Sequence, residues 1–597
     1  MLCIFALMKY PSIPAAQALV QHCKAKGIKN IVISPGSRNA PLIIGFSEDP
    51  YFSCFSIVDE RCAAFFALGI AQQLREPVVV TCTSGSALLN YYAAVAEAFY
   101  SQIPLVVISA DRPRYKIDVG DGQTIRQDNV FHRHIGYSTH LRQDVVHATD
   151  SILRYVPHWL EKGSPEEIQE SVQTFNDTEL NKALNTAIES QLPVHVNIPF
   201  EEPLYEKHTQ QTVTALIKKA LSTEEYSVEE IYHFADIWNS TAKKMVLVGV
   251  NYPDTVSQHY LDHLASDPSI IVLTETTSNL HHANFFPSID SLIAPIEKLE
   301  NREEWFKRLQ PEILLTFGGL VVSKKIKAFL RRYQPLHHWH VDSLKAFDTF
   351  FCLSHHFKSG ANTFLGKFLP LVQGVQSDYF SYWNNIKKSY EIKRKAYLGQ
   401  IPFSDMLGFA ISLQAIPKGY RLQLANSSTV RYAQLFDLDP SLRVFCNRGT
   451  SGIDGSTSTA IGAAVYGNAP TLLITGDLSF FYDSNGLWNN YVRPDFRIVL
   501  FNNQGGGIFR ILPGRENTDN FETYFETAHD LNASQLCQMF GFEYASADDA
   551  LGLENVFASF YEKSRHPKLL EISTPRLLNN KILLDYFDFI SSVFINR

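Results

Sequence analysis

The sequence predicts an α/β protein of three doubly wound parallel-sheet domains. Two observations predict it. Short apolar runs alternate with helix-like segments through most of the 597 residues, and nearly every run ends in a small polar turn. Such alternation implies parallel strands covered by helices on both faces, with ligands at the strands' carboxyl ends.

The first domain is expected over residues 1–205. Its runs KNIVIS, SCFSIV, EPVVVTC and IPLVVISA lead into the turns PGSR, DER, TSGS and DRP, and LPVHVNIPF closes it. Ser37, Arg38, Glu60, Ser84, Asp111 and Arg112 therefore gather along one edge. A polar stretch, EEPLYEKHTQQ, leads to a second domain over 206–375, with strands in KKMVLVGV, SIIVLTE, PEILLTFGGLVV and LHHWHVDS. It has no GxGxxG after a strand and no GxxxxGK[ST], so nothing there supports a dinucleotide or P-loop site. Lys324 and Lys325 follow its third strand. The charged helical passage NNIKKSYEIKRKAY opens the third domain, 376–597, whose strands RLQLAN, RVFCN, TLLIT, FRIVLF and KLLEIS carry the turns NSSTVR, NRGTSGIDG, GDLS and NNQGGG.

Composition narrows the function. Hydrophobic residues make up 45% and charged residues 19%, an ordinary globular balance, and the net charge of -8 gives no basic field for nucleic acid. Eight cysteines without a CxxC pair read as buried thiols of a reducing cytoplasm. The opening MLCIFALMKYPSIP is apolar but has neither a basic start nor a small-residue cleavage site, and Met8 is an alternative start. No stretch approaches the roughly 18 uncharged apolar residues of a membrane span. The histidine pairs His281-His282, His337-His338 and His355-His356 lack ligand spacing and read as core or exposed residues.

The chemistry concentrates between Gly476 and Gly507. TLLIT ends in Gly476-Asp477 and FRIVLF ends in Asn502-Asn503, so Asp477 and Asn503 should converge at one sheet edge. Either alone is an ordinary helix-cap or turn residue. Together, with Gly505 to Gly507 following, they offer one carboxylate, one amide oxygen and exposed main-chain carbonyls. These are hard ligands suited to magnesium, or manganese, bound also to phosphate oxygens. GD followed after some two dozen residues by NN is also the thiamine diphosphate signature. That cofactor needs a carboxyl group against its aminopyrimidine N1′, and Glu60, in the apolar setting IVDERCAAFF, is the candidate. Arg38, Arg112, Arg431 and Arg448 lie in or just after edge turns, where arginine forks grip carboxylates; substrates with several carboxylates fit such a site.

SPGSRNAPL, VDER, TSGSALLNYYAAVAEAFYSQIPLVVISADRP, DGQTIRQ, NRGTSGIDGSTSTA, GDLSFFYDSN and FNNQGGGIF together resemble the menaquinone-pathway carboligase family, the 2-succinyl-5-enolpyruvyl-6-hydroxy-3-cyclohexene-1-carboxylate synthases. The resemblance implies pyrimidine-binding, flavin-free central and diphosphate-binding domains of the thiamine diphosphate-dependent enzyme type. It also implies a dimer or tetramer with the cofactor between subunits. On its terms Glu60 activates the pyrimidine. Asp477, Asn503 and the Gly505 carbonyl hold the metal. Ser84, Gly85, Gly476, Leu478, Ile508, Phe509 and the propping Ile453 contact the cofactor. Ser37, Arg38, Arg112, Gln123, Lys324, Lys325, Asn426, Ser427, Arg431 and Arg448 fall on substrate-contacting positions. Gly122 stands where some members carry Asn, and Lys325 where some carry Arg, trading a fork for a point charge.

The implied reaction is decarboxylation of 2-oxoglutarate and 1,4-addition of the succinyl-semialdehyde carbanion equivalent to isochorismate. Two alternatives stand beside it. One is another keto-acid decarboxylase or carboligase, such as an acetolactate synthase, although a monocarboxylate needs one anchor rather than many. The other is a non-catalytic descendant that keeps the fold to bind a ligand.

Overall fold

The computed structural model describes residues 8–220, 228–511 and 518–595. Cys3 and the start of the apolar opening lie outside the described residues. Three parallel sheets organise the chain. The first contains β1 (Asn30–Ile33), β2 (Ser53–Ser56), β3 (Val78–Cys82), β4 (Leu105–Asp111), β5 (Tyr137–His140) and β6 (Val194–Pro199), in the order β2-β1-β3-β4-β6-β5. The second contains β7 (Lys244–Val248), β8 (Ile270–Leu273), β9 (Ile313–Phe317), β10 (His337–Val341) and β11 (Leu353–Phe357), in the order β8-β7-β9-β10-β11. The third contains β12 (Arg421–Leu424), β13 (Arg443–Cys446), β14 (Thr471–Gly476), β15 (Arg497–Asn502), β16 (Glu543–Ala547) and β17 (Lys568–Ser573), in the order β13-β12-β14-β15-β17-β16.

Every predicted strand is present, and each sheet has one strand more. The additions are β5, β11 and β16, all at sheet edges. YSTH, LSHHF and EYASA hold no continuous apolar run, and each is only partly buried. Val78–Cys82 is buried at every position, whereas Glu543–Ala547 buries one. Only central strands of a parallel sheet must be apolar on both faces.

By packing, the described chain forms two compact units. The first takes residues up to 222 with 454–468 and 483–493, and the second takes 223–453, 469–482 and 494–597. In the first unit the helix Glu60–Leu74 packs along the helix Ser456–Val465 at near backbone contact. A Cβ on Gly462 would lie 2.0 Å from the Phe66 carbonyl oxygen, and one on Gly69 2.1 Å from that of Thr459. Small residues here let two helix backbones meet. Asp483 joins the same packing, accepting from Ser458 N at 2.7 Å and from Ser458 Oγ at 2.8 Å.

The polar stretch after residue 200 is tied to the first unit. Lys207–His208 pairs antiparallel with Tyr10–Pro11, and Gln17 and Gln21 exchange side-chain hydrogen bonds with the backbone of 212–215. The charged passage before the third sheet is helical, as expected, over Tyr379–Leu398; Trp383, Ile386 and Tyr390 face the core of the second unit. Of the seven described cysteines, five are buried, and Cys54 and Cys352 are partly exposed. His338 and His340 both pair with Thr316 Oγ1, at 3.0 and 2.8 Å, and burial pushes each imidazole down to about 4. No helix among the described residues is long and apolar enough to cross a membrane.

Candidate active site

β14 and β15 are adjacent and parallel, with Gly476 opposite Phe501, so Asp477 and Asn503 leave the same edge. The connection between them is shorter than a full crossover helix: Asp477–Tyr482 is helical, and a single 3-10 turn, Ser484–Leu487, follows. Both residues are nearly buried. Asp477 Oδ2 accepts from Gly505 N at 2.9 Å, and Asp477 Oδ1 from Leu478 N at 2.6 Å. His529 Nε2 lies 3.4 Å from Asp477 Oδ2, and that carboxylate raises the pKa of the imidazole.

Asn503 Nδ2 donates to Asp405 Oδ2 at 2.9 Å, while Asn503 Oδ1 is a buried acceptor without a hydrogen-bond donor. A buried oxygen in that condition costs free energy unless something fills it. A divalent cation would do so. Gly505 adopts φ +147°, and a Cβ there would come within 2.8 Å of the Glu526 carbonyl oxygen, so only glycine leaves its backbone free at this bend. The residues therefore fit a magnesium-sized ion. Among the described residues no group of three or more His, Cys, Asp or Glu could hold a metal; Asp477, Asn503 and Gly505 offer one carboxylate, the rest being amide and main-chain oxygen.

Glu526 buttresses the loop. Its carbonyl accepts from Gly506 N at 2.6 Å, and its fully buried carboxylate accepts two bonds from Arg510 and one from Arg576 Nη1 at 2.7 Å. Leu478, Ile508 and Phe509 are half-buried beside this edge, and Ile453, whose carbonyl accepts from Ser479 Oγ at 2.6 Å, is exposed.

In the first unit Glu60 heads the helix Glu60–Leu74, after Asp59, whose Oδ1 accepts from Cys62 N. Its apolar neighbours Ala63, Phe65 and Phe66 are buried, but Glu60 itself is half-buried, because the first turn of a helix faces out of the sheet edge. Asn90 Nδ2 reaches Glu60 Oε2 at 3.4 Å. Ser84, Arg112 and Gln123 of this unit converge. Arg112 Nη1 donates to Ser84 Oγ at 2.7 Å and to the Gln123 carbonyl at 3.0 Å. Ser84 Oγ donates to the same carbonyl, and Gly85 N donates to Gln127 Oε1. Burial and the neighbouring Arg38 charge lower the pKa of Arg112. Arg38 is buried and already engaged, with the Phe200 carbonyl at 2.8 Å and Glu202 Oε1 at 2.5 Å. Ser37 and the Gln123 side chain are exposed.

In the second unit Asn426 anchors the arginine loop. Its Nδ2 donates to the carbonyls of Asn447 and Gly452, each at 2.7 Å, and its Oδ1 accepts from Arg448 Nη1 at 2.6 Å. Ser427 takes φ 69°, a strained value for a non-glycine, and its carbonyl accepts from Arg431 Nη1. Burial and the nearby Arg448 lower the pKa of Arg431. A cavity of about 100 Å³ is lined by Arg431, Lys325, Arg576, Ile508, Asp290 and Asp405, among others. Lys325 pairs with Glu297, while Lys324 is exposed at the start of its helix.

Sequence reasoning passed over several residues. Glu275 accepts from Val322 N and Ser323 N at 2.7 Å each, and burial pushes its carboxyl up to about 7 against the pull of Arg448. Lys327 shares this neighbourhood: burial lowers its pKa, Glu275 opposes that, and Arg448 and Arg431 reinforce it. Its position three residues after Lys324 on one helix was a usable signal. Asp405 and His529 carried none, since nothing in their local sequence links them to GD or NN.

Fold and site together define a thiamine diphosphate enzyme. The thiamine pyrophosphate enzyme N-terminal TPP binding domain matches residues 13–135, and the C-terminal TPP binding domain matches residues 426–572. A benzoylformate decarboxylase from Polynucleobacter necessarius superposes with a TM-score of 0.65 over 94% of this chain and 99% of its own, at 13% identity, a likeness of fold alone. Sequence kinship is narrower. The 2-succinyl-5-enolpyruvyl-6-hydroxy-3-cyclohexene-1-carboxylate synthase of Christiangramia forsetii is 55% identical over 98% of this chain and 100% of its own, and that of Flavobacterium johnsoniae is 52% identical over 97% and 99%. The chain belongs to that synthase family.

Proposed function

We propose that the protein is a transferase that decarboxylates 2-oxoglutarate and joins the four-carbon fragment to isochorismate by 1,4-addition, in menaquinone biosynthesis. What carries this reading is full-length kinship to synthases of that product, 55% over 98% of the chain. Thiamine diphosphate, when bound, supplies the electron sink for loss of carbon dioxide and for the new carbon-carbon bond. Asp477, Asn503 and the Gly505 carbonyl would hold magnesium or manganese and, through it, the diphosphate, with Gly476 and Leu478 beside them. Glu60 would hold and exchange the proton at the aminopyrimidine N1′. Ile453 would prop the cofactor, and Ile508 and Phe509 would wall its reacting end, with Ser84 and Gly85 at the pyrimidine side.

Arg431 and Arg448 would hold the succinyl carboxylate side. Burial and Arg448 disfavour the charge on Arg431 while Asp290 and Glu275 favour it, and a dianionic substrate would add to that neutralisation. Arg38, Arg112, Gln123, Ser37 and Lys324 would face isochorismate, with Lys325, Asn426 and Ser427 completing the substrate contacts. Self-association, with the cofactor between subunits, belongs to the same proposal, as do a cytoplasmic location and a three-domain partition at 205 and 375.

The test incubates the protein with thiamine diphosphate, magnesium and 2-oxoglutarate and measures carbon dioxide release and adduct formation, with and without isochorismate. Adduct formation is expected. Carbon dioxide without adduct would leave a simple decarboxylase, and neither product from cofactor-loaded protein would leave a binding protein.

A further inference from the structure

An asparagine side chain can turn either its oxygen or its nitrogen toward a cation, and only the oxygen is a ligand. At Asn503 the choice is made by a residue outside the GD and NN motifs. Asp405 Oδ2 accepts from Asn503 Nδ2 at 2.9 Å. Its other oxygen, Oδ1, accepts from Thr574 Oγ1 at 2.6 Å. Asn579 closes a ring around this carboxylate: its Oδ1 accepts from Asp405 N at 2.8 Å, and its Nδ2 donates to Thr574 Oγ1 at 3.1 Å. Asp405 is thus held on three sides and nearly buried. Because a carboxylate accepts and does not donate, only the NH2 of Asn503 can face it. The amide oxygen is turned the other way, and it is the buried oxygen that has no donor. Gly507 lies against the same amide, since a Cβ there would come within 3.2 Å of Asn503 Nδ2.

We propose that Asp405 is a positioning residue that fixes the Asn503 amide with its oxygen toward the divalent cation. The proposal rests on the reading of Asn503 as a metal ligand. It assigns Asp405, Thr574 and Asn579 to one function, the orientation of a ligand, which ordinarily changes metal affinity by about 10- to 100-fold.

The test titrates magnesium into full-length protein in the presence of thiamine diphosphate, following intrinsic tryptophan fluorescence, for Asn503→Leu, Asp405→Leu, Asp405→Asn and Thr574→Val. Asn503→Leu should weaken apparent magnesium affinity. Asp405→Leu should weaken it about 10- to 100-fold. Asp405→Asn should stay within about threefold of the parent, because its amide oxygen still accepts from Asn503 while the Thr574 hydroxyl turns to accept. Thr574→Val, which keeps the side chain's shape, should give a smaller loss and carries the test if Asp405→Leu does not fold. If Asn503→Leu weakens binding but Asp405→Leu or, failing it, Thr574→Val does not, the positioning role is overturned. Equal losses in Asp405→Asn and Asp405→Leu overturn it too, since charge rather than an acceptor would then matter. An Asn503→Leu protein with unchanged magnesium affinity overturns the ligand reading itself, and the proposal with it.

Discussion

Glu60 is half-buried at the head of its helix, where its carboxyl can reach a ligand without leaving its turn. If it exchanges the cofactor's pyrimidine proton, Glu60→Gln should slow turnover by roughly two to four orders of magnitude, measured as kcat on folded, cofactor-loaded enzyme. Near-normal kcat would remove it from the mechanism. Glu275 makes a different prediction, one about stability. Its carboxyl is raised from 4.5 to about 7, chiefly by burial, with Arg448 pulling it down and Asp290 pushing it up. Between those values the folded protein keeps a proton that the unfolded chain has released, so stability falls as pH rises. Urea unfolding between pH 4.5 and 7 should therefore show a steeper loss for the parent than for Glu275→Gln; parallel curves would refute the assignment. The placement of Asp477, Asn503 and Glu60 at strand ends was legible in the sequence, because each stands in the polar turn that follows an apolar run. Asp405 was not. It meets Asn503 across 98 residues of chain, and its own neighbours announce only a helix start.

At the scale of elements, glycines mark where backbones must approach. Gly505→Ala places a Cβ 2.8 Å from the Glu526 carbonyl at a positive φ. The strain is about 1–3 kcal/mol, and because the bend carries the Gly505 carbonyl, cofactor affinity should fall along with the melting temperature. A calorimetric titration that finds unchanged affinity would dissociate the bend from the site. Gly462→Ala tests a purely structural approach, the contact between two helix backbones in the first unit. Overpacking of this kind costs about 1–3 kcal/mol, read as a lower urea midpoint at unchanged slope. The elements that sequence reasoning missed, β5, β11 and β16, share one cause. None of them holds a continuous apolar run, and the backbone hydrogen bonds that define them are not recorded by apolar periodicity.

Across the whole molecule, the first compact unit is assembled from separate parts of the chain, the described residues up to 220 together with 454–468 and 483–493. The helix Ser456–Val465 covers the helix Glu60–Leu74, whose residues Ala63, Phe66, Ala67 and Ile70 are fully or almost fully buried. A fragment ending at residue 222 would bare that face. It is expected to aggregate or to lose cooperative unfolding, as seen by size-exclusion chromatography and circular dichroism. A monomeric fragment with a sharp melt would contradict the interdependence. The amino-acid sequence by itself determined the parallel α/β class, the strands that carry apolar runs, and the placement of Asp477 and Asn503 at adjacent strand ends, because each is written locally, in an apolar run and the turn after it. Only the tertiary structure decided which helix covers Glu60–Leu74, that Arg38 is engaged by Glu202, that Asp405 meets Asn503, and which atom of Asn503 is left without a hydrogen-bond partner. Those depend on side chains brought together from distant parts of the chain, and no local pattern encodes a partner that arrives only on folding.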